Sequence, residues 1–279
     1  MFKFKLVMVN ASANGAFYLS PVIYIISKIF KCKFIFRKFA GNFDILFKYK
    51  SNHIQKWIST KTYFQSDLIL SETKQLVQFF KKNGCQNVKW FPNVRKKSTY
   101  TDYKDSFNKR FVFISHVKKS KGIFEILKAM EHLPNDYTVD VYGPFSDNSC
   151  TLSDFKKTRV KYMGVLKSDN VLSTLNEYDV LLLPTYHSGE GYPGIIIEAY
   201  SLGIPVIATN WNAIPEIVSE QSGGILVPIK DPVSLKNAIL SINEKNYPSM
   251  KKKASEAFKA FDSDIVNGHL ISWIYKLSE

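Results

Sequence analysis

The sequence predicts an α/β protein whose strands run mostly parallel. Two observations carry the prediction. Short apolar runs alternate with helix-like stretches along the chain, the pattern of strand–helix–strand units. One such unit is written out in full: Val180-Leu181-Leu182-Leu183-Pro184-Thr185, then a glycine-rich stretch from Ser188 to Gly194, then Ile195-Ile196-Ile197-Glu198-Ala199, then Ile204-Pro205-Val206-Ile207-Ala208-Thr209. A third feature divides the chain. Phe91-Pro92-Asn93-Val94 and the polar stretch from Arg95 to Lys109 read as a linker.

Before the linker, strands are expected at 3–9, 33–37, 67–70 and 88–91, with helices at about 20–30, 51–63 and 72–83. The opening Met1-Phe2-Lys3-Phe4-Lys5-Leu6-Val7 alternates as a strand does and does not read as a signal peptide. Phe17 to Phe30 is the most apolar segment, and its 14 residues fall short of the roughly 20 needed to span a bilayer. Pro21 near its start predicts a helix beginning there. That helix reads as packed on a sheet, the alternative being a surface that dips into a membrane.

After the linker, the pattern gives strand 110–115, helix 121–133, strands 137–142 and 159–163, helix 168–176, strand 179–183, helix 194–202, and strands 205–209 and 224–227. Helices follow at about 232–243 and 247–260. A last segment, 264–277, carries Ile265, Leu270, Ile271, Trp273, Ile274 and Leu277. No internal repeat or low-complexity tract interrupts this order.

With 279 residues, 45% of them hydrophobic, the chain can bury a large core. The widely spaced Cys32, Cys85 and Cys150 form neither a metal pattern nor an even disulfide framework, as expected of a reducing cytoplasm. The net charge is +14. Nucleic acid, an anionic membrane and phosphorylated substrates all fit such a surface. The aromatic–basic run Phe34-Ile35-Phe36-Arg37-Lys38-Phe39 is accompanied by no nucleic-acid-binding motif. An anionic membrane or a phosphorylated substrate is the better match. Lysine-favouring codon usage would also account for part of the charge.

Chemistry concentrates at Ser188-Gly189-Glu190-Gly191-Tyr192-Pro193-Gly194. A glycine-rich loop entering a helix points bare backbone N–H groups and the positive helix end at one spot, which suits a phosphate. Glu190 and Glu198 frame it, and acids do not serve a phosphate. Their partners are expected to be hydroxyls, so the ligand should carry both phosphate and sugar. Gly189, Gly191 and Gly194 also spell the dinucleotide fingerprint. Against a dinucleotide oxidoreductase stand Glu190 beside a pyrophosphate, the N–H donor lost at Pro193, and the position late in the chain. The plain alternative is a structural loop with incidental acids.

Glu190 and Glu198, separated by seven residues and followed by Leu202-Gly203-Ile204-Pro205-Val206, resemble the donor-site signature of glycosyltransferase family 4, retaining enzymes of the GT-B fold. Phe111 to Gly122, with Lys121-Gly122 at its end, is similar to that family's first strand and lysine–glycine turn. Val141-Tyr142-Gly143-Pro144, Tyr162-Met163-Gly164-Val165, Ala213 to Val218 and Gly223 to Val227 match in register. The likeness covers about residues 90–260 well and the first 90 loosely.

The resemblance implies two Rossmann-like domains, the first incomplete. Residues 1–93 would be a partial acceptor-side domain and 94–260 the nucleotide-sugar domain, with 261–279 a helix returning to the first. The family's usual opening strand and its glycine-rich loop are not found, so the first domain is expected to be shortened: a fragment, a split enzyme or a minimal form. The implied activity is transfer of a hexose-type sugar from a nucleotide diphosphate donor to a glycan or polyprenyl-linked acceptor in surface polysaccharide assembly. The setting implied is cytoplasmic and peripheral to the inner face of the plasma membrane. The alternatives are a non-catalytic remnant that binds nucleotide sugar and, from another class, the NAD-type oxidoreductase.

By the same resemblance, Glu198 takes the ribose hydroxyls, Lys121 the diphosphate and Glu190 the transferred sugar. Gly122 and the backbone of Gly191, Tyr192, Pro193, Gly194 and Ile195 surround the phosphates. Gly164 and Val165 meet the base. His116 stands where the family usually has Arg, and it offers neither a permanent charge nor a planar fork of donors. Lys118 or Lys119 could compensate, and a packing role for His116 at the strand end is the alternative. His187 reads as a surface or packing residue. No metal, cofactor or protein nucleophile is expected.

Overall fold

Two parallel sheets carry the alternation read from the sequence. The structure is a computed structural model that describes residues 5–12, 14–39, 41–100, 106–156 and 158–278. Residues 3 and 4 of the first expected strand, and 101–105 of the expected linker, lie outside the described residues. The chain divides into two units. The first comprises Met1–Asn93, Gly189–Tyr192 and Asp264–Glu279, and the second Val94–Ser188 and Pro193–Ser263. The sequence expectation kept 94–260 unbroken; here the loop Gly189–Tyr192 groups with the first unit.

In the first unit, β1 (Leu6–Ala11), β2 (Lys33–Lys38), β3 (Leu68–Ser71) and β4 (Val88–Trp90) form a parallel sheet in that order. Val9 faces Phe36, which faces Ile69. Phe34, Ile35 and Phe36 are all fully buried, as expected of a strand covered on both faces. Between the strands lie α1 (Ser20–Ile29), the short α2 (Phe43–Ile45), α3 (His53–Lys61) and α4 (Lys74–Lys82). Aromatic rings fill the space between sheet and helices: Phe36 meets Tyr63 at 4.5 Å, and Phe47 meets Phe64 at 5.2 Å.

Two helix starts differ from the sequence expectation. The first helical stretch does not begin at Pro21, because a π-turn over Gly15–Leu19 leads into α1. Pro21 has no N–H and its ring would crowd the carbonyl four residues back; a widened turn ahead of it relieves that conflict. The helix expected at 51–63 starts at His53, because Asn52 and Gln55 form a reciprocal capping box with bonds of 2.8 and 3.1 Å. A second π-turn, Leu46–Lys50, has no counterpart in the sequence reading.

The second unit holds β5 (Arg110–Ile114), β6 (Thr138–Tyr142), β7 (Lys161–Gly164), β8 (Val180–Leu183), β9 (Val206–Thr209) and β10 (Gly224–Val227). Their order is β10-β9-β8-β5-β6-β7. Its helices are α5 (Ile123–Glu131), α6 (Val171–Leu175), α7 (Gly194–Ser201), α8 (Pro232–Ser241) and α9 (Tyr247–Phe258), while α10 (Ser263–Ser278) belongs from Asp264 onward to the first unit. The helix expected over 168–176 is shorter, a 3₁₀ turn at Ser168–Asn170 leading into α6. Every residue of β8 and β9 is buried.

Chain direction across this sheet reverses once. From β5 the chain moves outward to β6 and β7, then returns so that β8 lies on the other side of β5. Phe111 faces Val180 and Val112 faces Leu181 across that join. Open parallel sheets bind ligands beyond the carboxyl ends of their strands at such a switch point.

Candidate functional site

The loops leaving β5 and β8 meet at the switch point of the second unit. His116 lies just past β5 and is exposed, not packed at the strand end. The neighbouring backbone is tied to the exit of β6: Ser115 N–H donates to the Tyr142 carbonyl at 3.1 Å and Val117 N–H to the Pro144 carbonyl at 2.8 Å. The chain then makes a 3₁₀ turn over Lys119–Lys121 and enters α5 at Gly122. Gly122 has φ of 82°, and a Cβ there would run into the Pro184 carbonyl at the end of β8. Tyr186 N–H donates to the Ser120 carbonyl at 2.8 Å. The half-buried Lys121 is thus held on a turn fastened to the exit of β8.

After β8 the chain reaches α7, whose first residue is Gly194 and whose preceding residue, Pro193, brings no N–H donor. Ile195 lies in the first turn, half-buried. Glu198 stands one turn further on, its carboxylate accepting from Arg95 Nε at 2.6 Å. A Cβ on Gly194 would collide with the same guanidinium. Sequence reading missed Arg95, placing it in a linker. Its backbone is paired instead, its N–H donating to the Phe261 carbonyl at 3.0 Å and its carbonyl accepting from Ser263 at 2.9 Å. No sequence signal marks a pair 103 residues apart.

Gly164 closes β7 with φ of 93°, and nothing lies within 4 Å of where its Cβ would point. Its carbonyl accepts from Gly143 N–H at 2.9 Å. Val165 beside it is 64% exposed. A small open step of backbone and one apolar side chain are therefore available beside the exit of β6. Glu125, in the first turn of α5, is a further group the sequence reading passed over. Burial raises its carboxyl above the ordinary range, against the opposing charges of Lys128, Lys119 and Lys230.

The remaining candidates lie in the first unit. Glu190 and Tyr192 are buried, 7% and 3% exposed. A Cβ on Gly41 would come within 2.6 Å of the Glu190 carbonyl and 2.8 Å of Gly191 Cα, so the loop passes against a glycine. Tyr192 N–H donates to Glu72 Oε1 at 2.8 Å, and its ring meets Trp90 edge-on at 6.5 Å. The expectation that this amide is offered to a ligand is corrected: in this structure a carboxylate from the end of β3 takes it. Glu72, missed by the sequence reading, also lines a cavity of about 270 Å³ with Asn10, Arg37, Phe39 and Asn93.

Nine of the expected residues are therefore carried by the second unit: His116, Lys121, Gly122, Gly164, Val165, Pro193, Gly194, Ile195 and Glu198. Glu190, Gly191 and Tyr192 are carried by the first.

A protein-family model described as Glycosyl transferases group 1 matches residues 108–245. The chain is 25% identical over 181 residues to a putative colanic acid biosynthesis glycosyltransferase, WcaL, of Escherichia coli K12, covering 60% of this chain and 45% of that protein. It is 26% identical over 266 residues to the N,N'-diacetylbacillosaminyl-diphospho-undecaprenol alpha-1,3-N-acetylgalactosaminyltransferase of Campylobacter jejuni, covering 90% of this chain and 65% of that enzyme. The chain thus spans about half to two thirds of the length of these relatives. Among solved structures, Anabaena Alr3699/HepE in complex with UDP superposes with a TM-score of 0.75 at 17% identity, over 96% of this chain and 78% of that one. The fold is that of the GT-B glycosyltransferases.

Proposed function

We propose, from the premise that residues 108–245 belong to the glycosyl transferases group 1 family, that this chain transfers a sugar from a nucleotide diphosphate sugar to a glycan or lipid-linked acceptor in surface polysaccharide assembly. One observation carries the reading. The strand order β8-β5-β6 puts the switch point of the second unit between the β5 exit that leads to Lys121 and the β8 exit that leads to α7 and Glu198.

Each part of the donor then has a partner of suitable chemistry. The Glu198 carboxylate accepts two hydrogen bonds from the ribose diol. Lys121, a compact positive charge, stabilises the charge that grows on the departing diphosphate, with His116 beside it. The step at Gly164 and Val165 receives the base. Gly194 and Ile195 bring backbone to the phosphates, and Glu190 is assigned the transferred sugar. The departing phosphate takes the acceptor's proton in a front-face transfer, and the reading invokes no metal. UDP in the HepE complex and the undecaprenol-linked substrate in the name of the Campylobacter enzyme support this choice of donor and acceptor. We place the reaction on the cytoplasmic side, peripheral to the membrane that holds such acceptors.

Calorimetry with UDP, GDP and NAD tests the assignment, followed by transfer of labelled sugar to a polyprenyl-diphosphate acceptor. A nucleoside diphosphate is expected to bind, and Glu198→Gln to weaken it by about 1.5–3 kcal/mol in a folded protein. Glu190→Gln is expected to slow transfer with nucleotide affinity unchanged. Binding of NAD alone rejects the reading. Nucleotide binding with no turnover on any acceptor leaves a binding subunit in place of an enzyme.

A further inference from the structure

The first unit turns its apolar side chains outward along one helix. In α1 the buried residues are Ser20, Pro21 and Ser27. Ile23 and Tyr24 pack against the core. Val22, Ile25, Ile26 and Ile29 face out, Ile29 at 70% exposure, and Phe30 after them at 73%. Positions 22, 25, 26 and 29 form one helical stripe. A water-facing helix carries its serines on the outside and its isoleucines inside; this one is inverted.

A second element exposes apolar side chains as well. Gln55 Nε2 of α3 donates to the hydroxyl of the exposed Tyr18 at 3.2 Å, which brings α3 alongside the turn that leads into α1. There α3 adds Ile54 and Trp57, Trp57 being 63% exposed. Single exposed apolar residues need no explanation, but a helical stripe such as that of α1 marks an interaction surface.

Charge selects the occupant. Asp44 is the single acidic residue between Asn14 and Lys61. Lys31 follows α1, Lys48 and Lys50 precede α3, and Lys61 ends it, all exposed. Lys28 and Lys33 are partly neutralised, both pairing with Asp67, at 2.7 and 3.6 Å. Lysine is depleted from protein–protein interfaces, whereas an anionic leaflet attracts it. Tyr and Trp beside aliphatic side chains are the residues that settle at the headgroup level. No helix among the described residues is long and apolar enough to cross a membrane.

We propose that the outer faces of α1 and α3 form a docking surface for an anionic lipid bilayer. Ile25, Ile26 and Ile29 enter the acyl boundary, Tyr18 and Trp57 sit at the headgroups, and the flanking lysines meet lipid phosphates. The proposal deepens the reading of a lipid-linked acceptor and rests on it, because docking would bring this unit to the membrane that carries such an acceptor.

The test is co-sedimentation of the full chain with vesicles of phosphatidylcholine alone and of equimolar phosphatidylcholine and phosphatidylglycerol. Anionic vesicles are expected to bind the wild type. The pair Ile25→Gln and Ile29→Gln should weaken binding by roughly tenfold or more, and the pair Lys31→Glu and Lys61→Glu should weaken it at low salt but little at high salt. Brominated acyl chains should quench fluorescence in the wild type and lose that increment in Trp57→Phe. All substituted residues are exposed, and UDP affinity of each variant, read by calorimetry, should match the wild type. This separates a failure of docking from a failure of the donor-site assignment. Equal vesicle binding by wild type and the isoleucine pair overturns the proposal. So does a wild type that ignores anionic vesicles but self-associates through this face, or that is held there by another polypeptide segment.

Discussion

Arg95 and Glu198, far apart in sequence, form a charge-assisted hydrogen bond of 2.6 Å at the start of α7. Their side chains are 34% and 20% exposed, so solvent screens the pair in part. Its importance is geometric. Arg95 is fixed through its backbone to Phe261 and Ser263, and a planar guanidinium so anchored holds the carboxylate in one orientation.

Arg95→Ala is expected to weaken nucleotide diphosphate binding about fivefold, the equivalent of roughly 1 kcal/mol. Gly194→Ala should do much the same, because its Cβ displaces the guanidinium. Combined, the two changes should cost little more than either alone, as expected of residues sharing one interaction. Full additivity would show that the two act separately. Tighter binding by Arg95→Ala would show that the guanidinium competes with the ligand.

Gly122→Ala is expected to act on stability instead. At φ of 82° an added Cβ is strained and meets the Pro184 carbonyl, which belongs to a buried strand end and has no side-chain freedom to retreat. A loss of roughly 1–3 kcal/mol is expected, read as a lower midpoint in denaturant. An unchanged midpoint would mean that the Lys119–Lys121 turn is not held as described.

Lys121→Ala should cost more affinity for a nucleoside diphosphate than for the monophosphate, and the difference should shrink as salt rises. Equal losses for the two ligands would place Lys121 away from the distal phosphate. Circular dichroism of the variant should match the wild type, since the side chain is only half-buried.

Lys38 supplies a pH test in the first unit. Its side chain is 1% exposed, and burial pushes the ammonium down to about 8 against the opposing charge of Glu72. Below about pH 8 both states hold the proton and the folded protein carries the whole burial penalty. Between about 8 and the ordinary 10.5 the unfolded chain alone keeps it, so this group makes stability rise with pH. Lys38→Met should remove that rise. Parallel stability–pH curves for the two proteins would contradict the assignment.

The sequence by itself determined the local structure. Strands buried on both faces are nearly continuous apolar runs, so β8 and β9 are legible where they stand. Glycine at the turn after Lys121 and the strand–loop–helix spelling around Gly194 are also local signals, and they name most of the residues proposed for the site. Where nearly every position is apolar, the same signal misleads. In Phe17 to Phe30 the serines at 20 and 27 mark one helical face that reads as outward, and only packing put them inside and Ile29 outside. The place of β8 beside β5, the bond from Arg95 to Glu198 and the bond from Tyr192 to Glu72, 120 residues apart, were likewise decided by tertiary structure. Hydrophobic pattern and turn chemistry act over a few residues. Strand order and pairing between distant polar groups depend on how the assembled layers close over one another, which no short window of sequence contains.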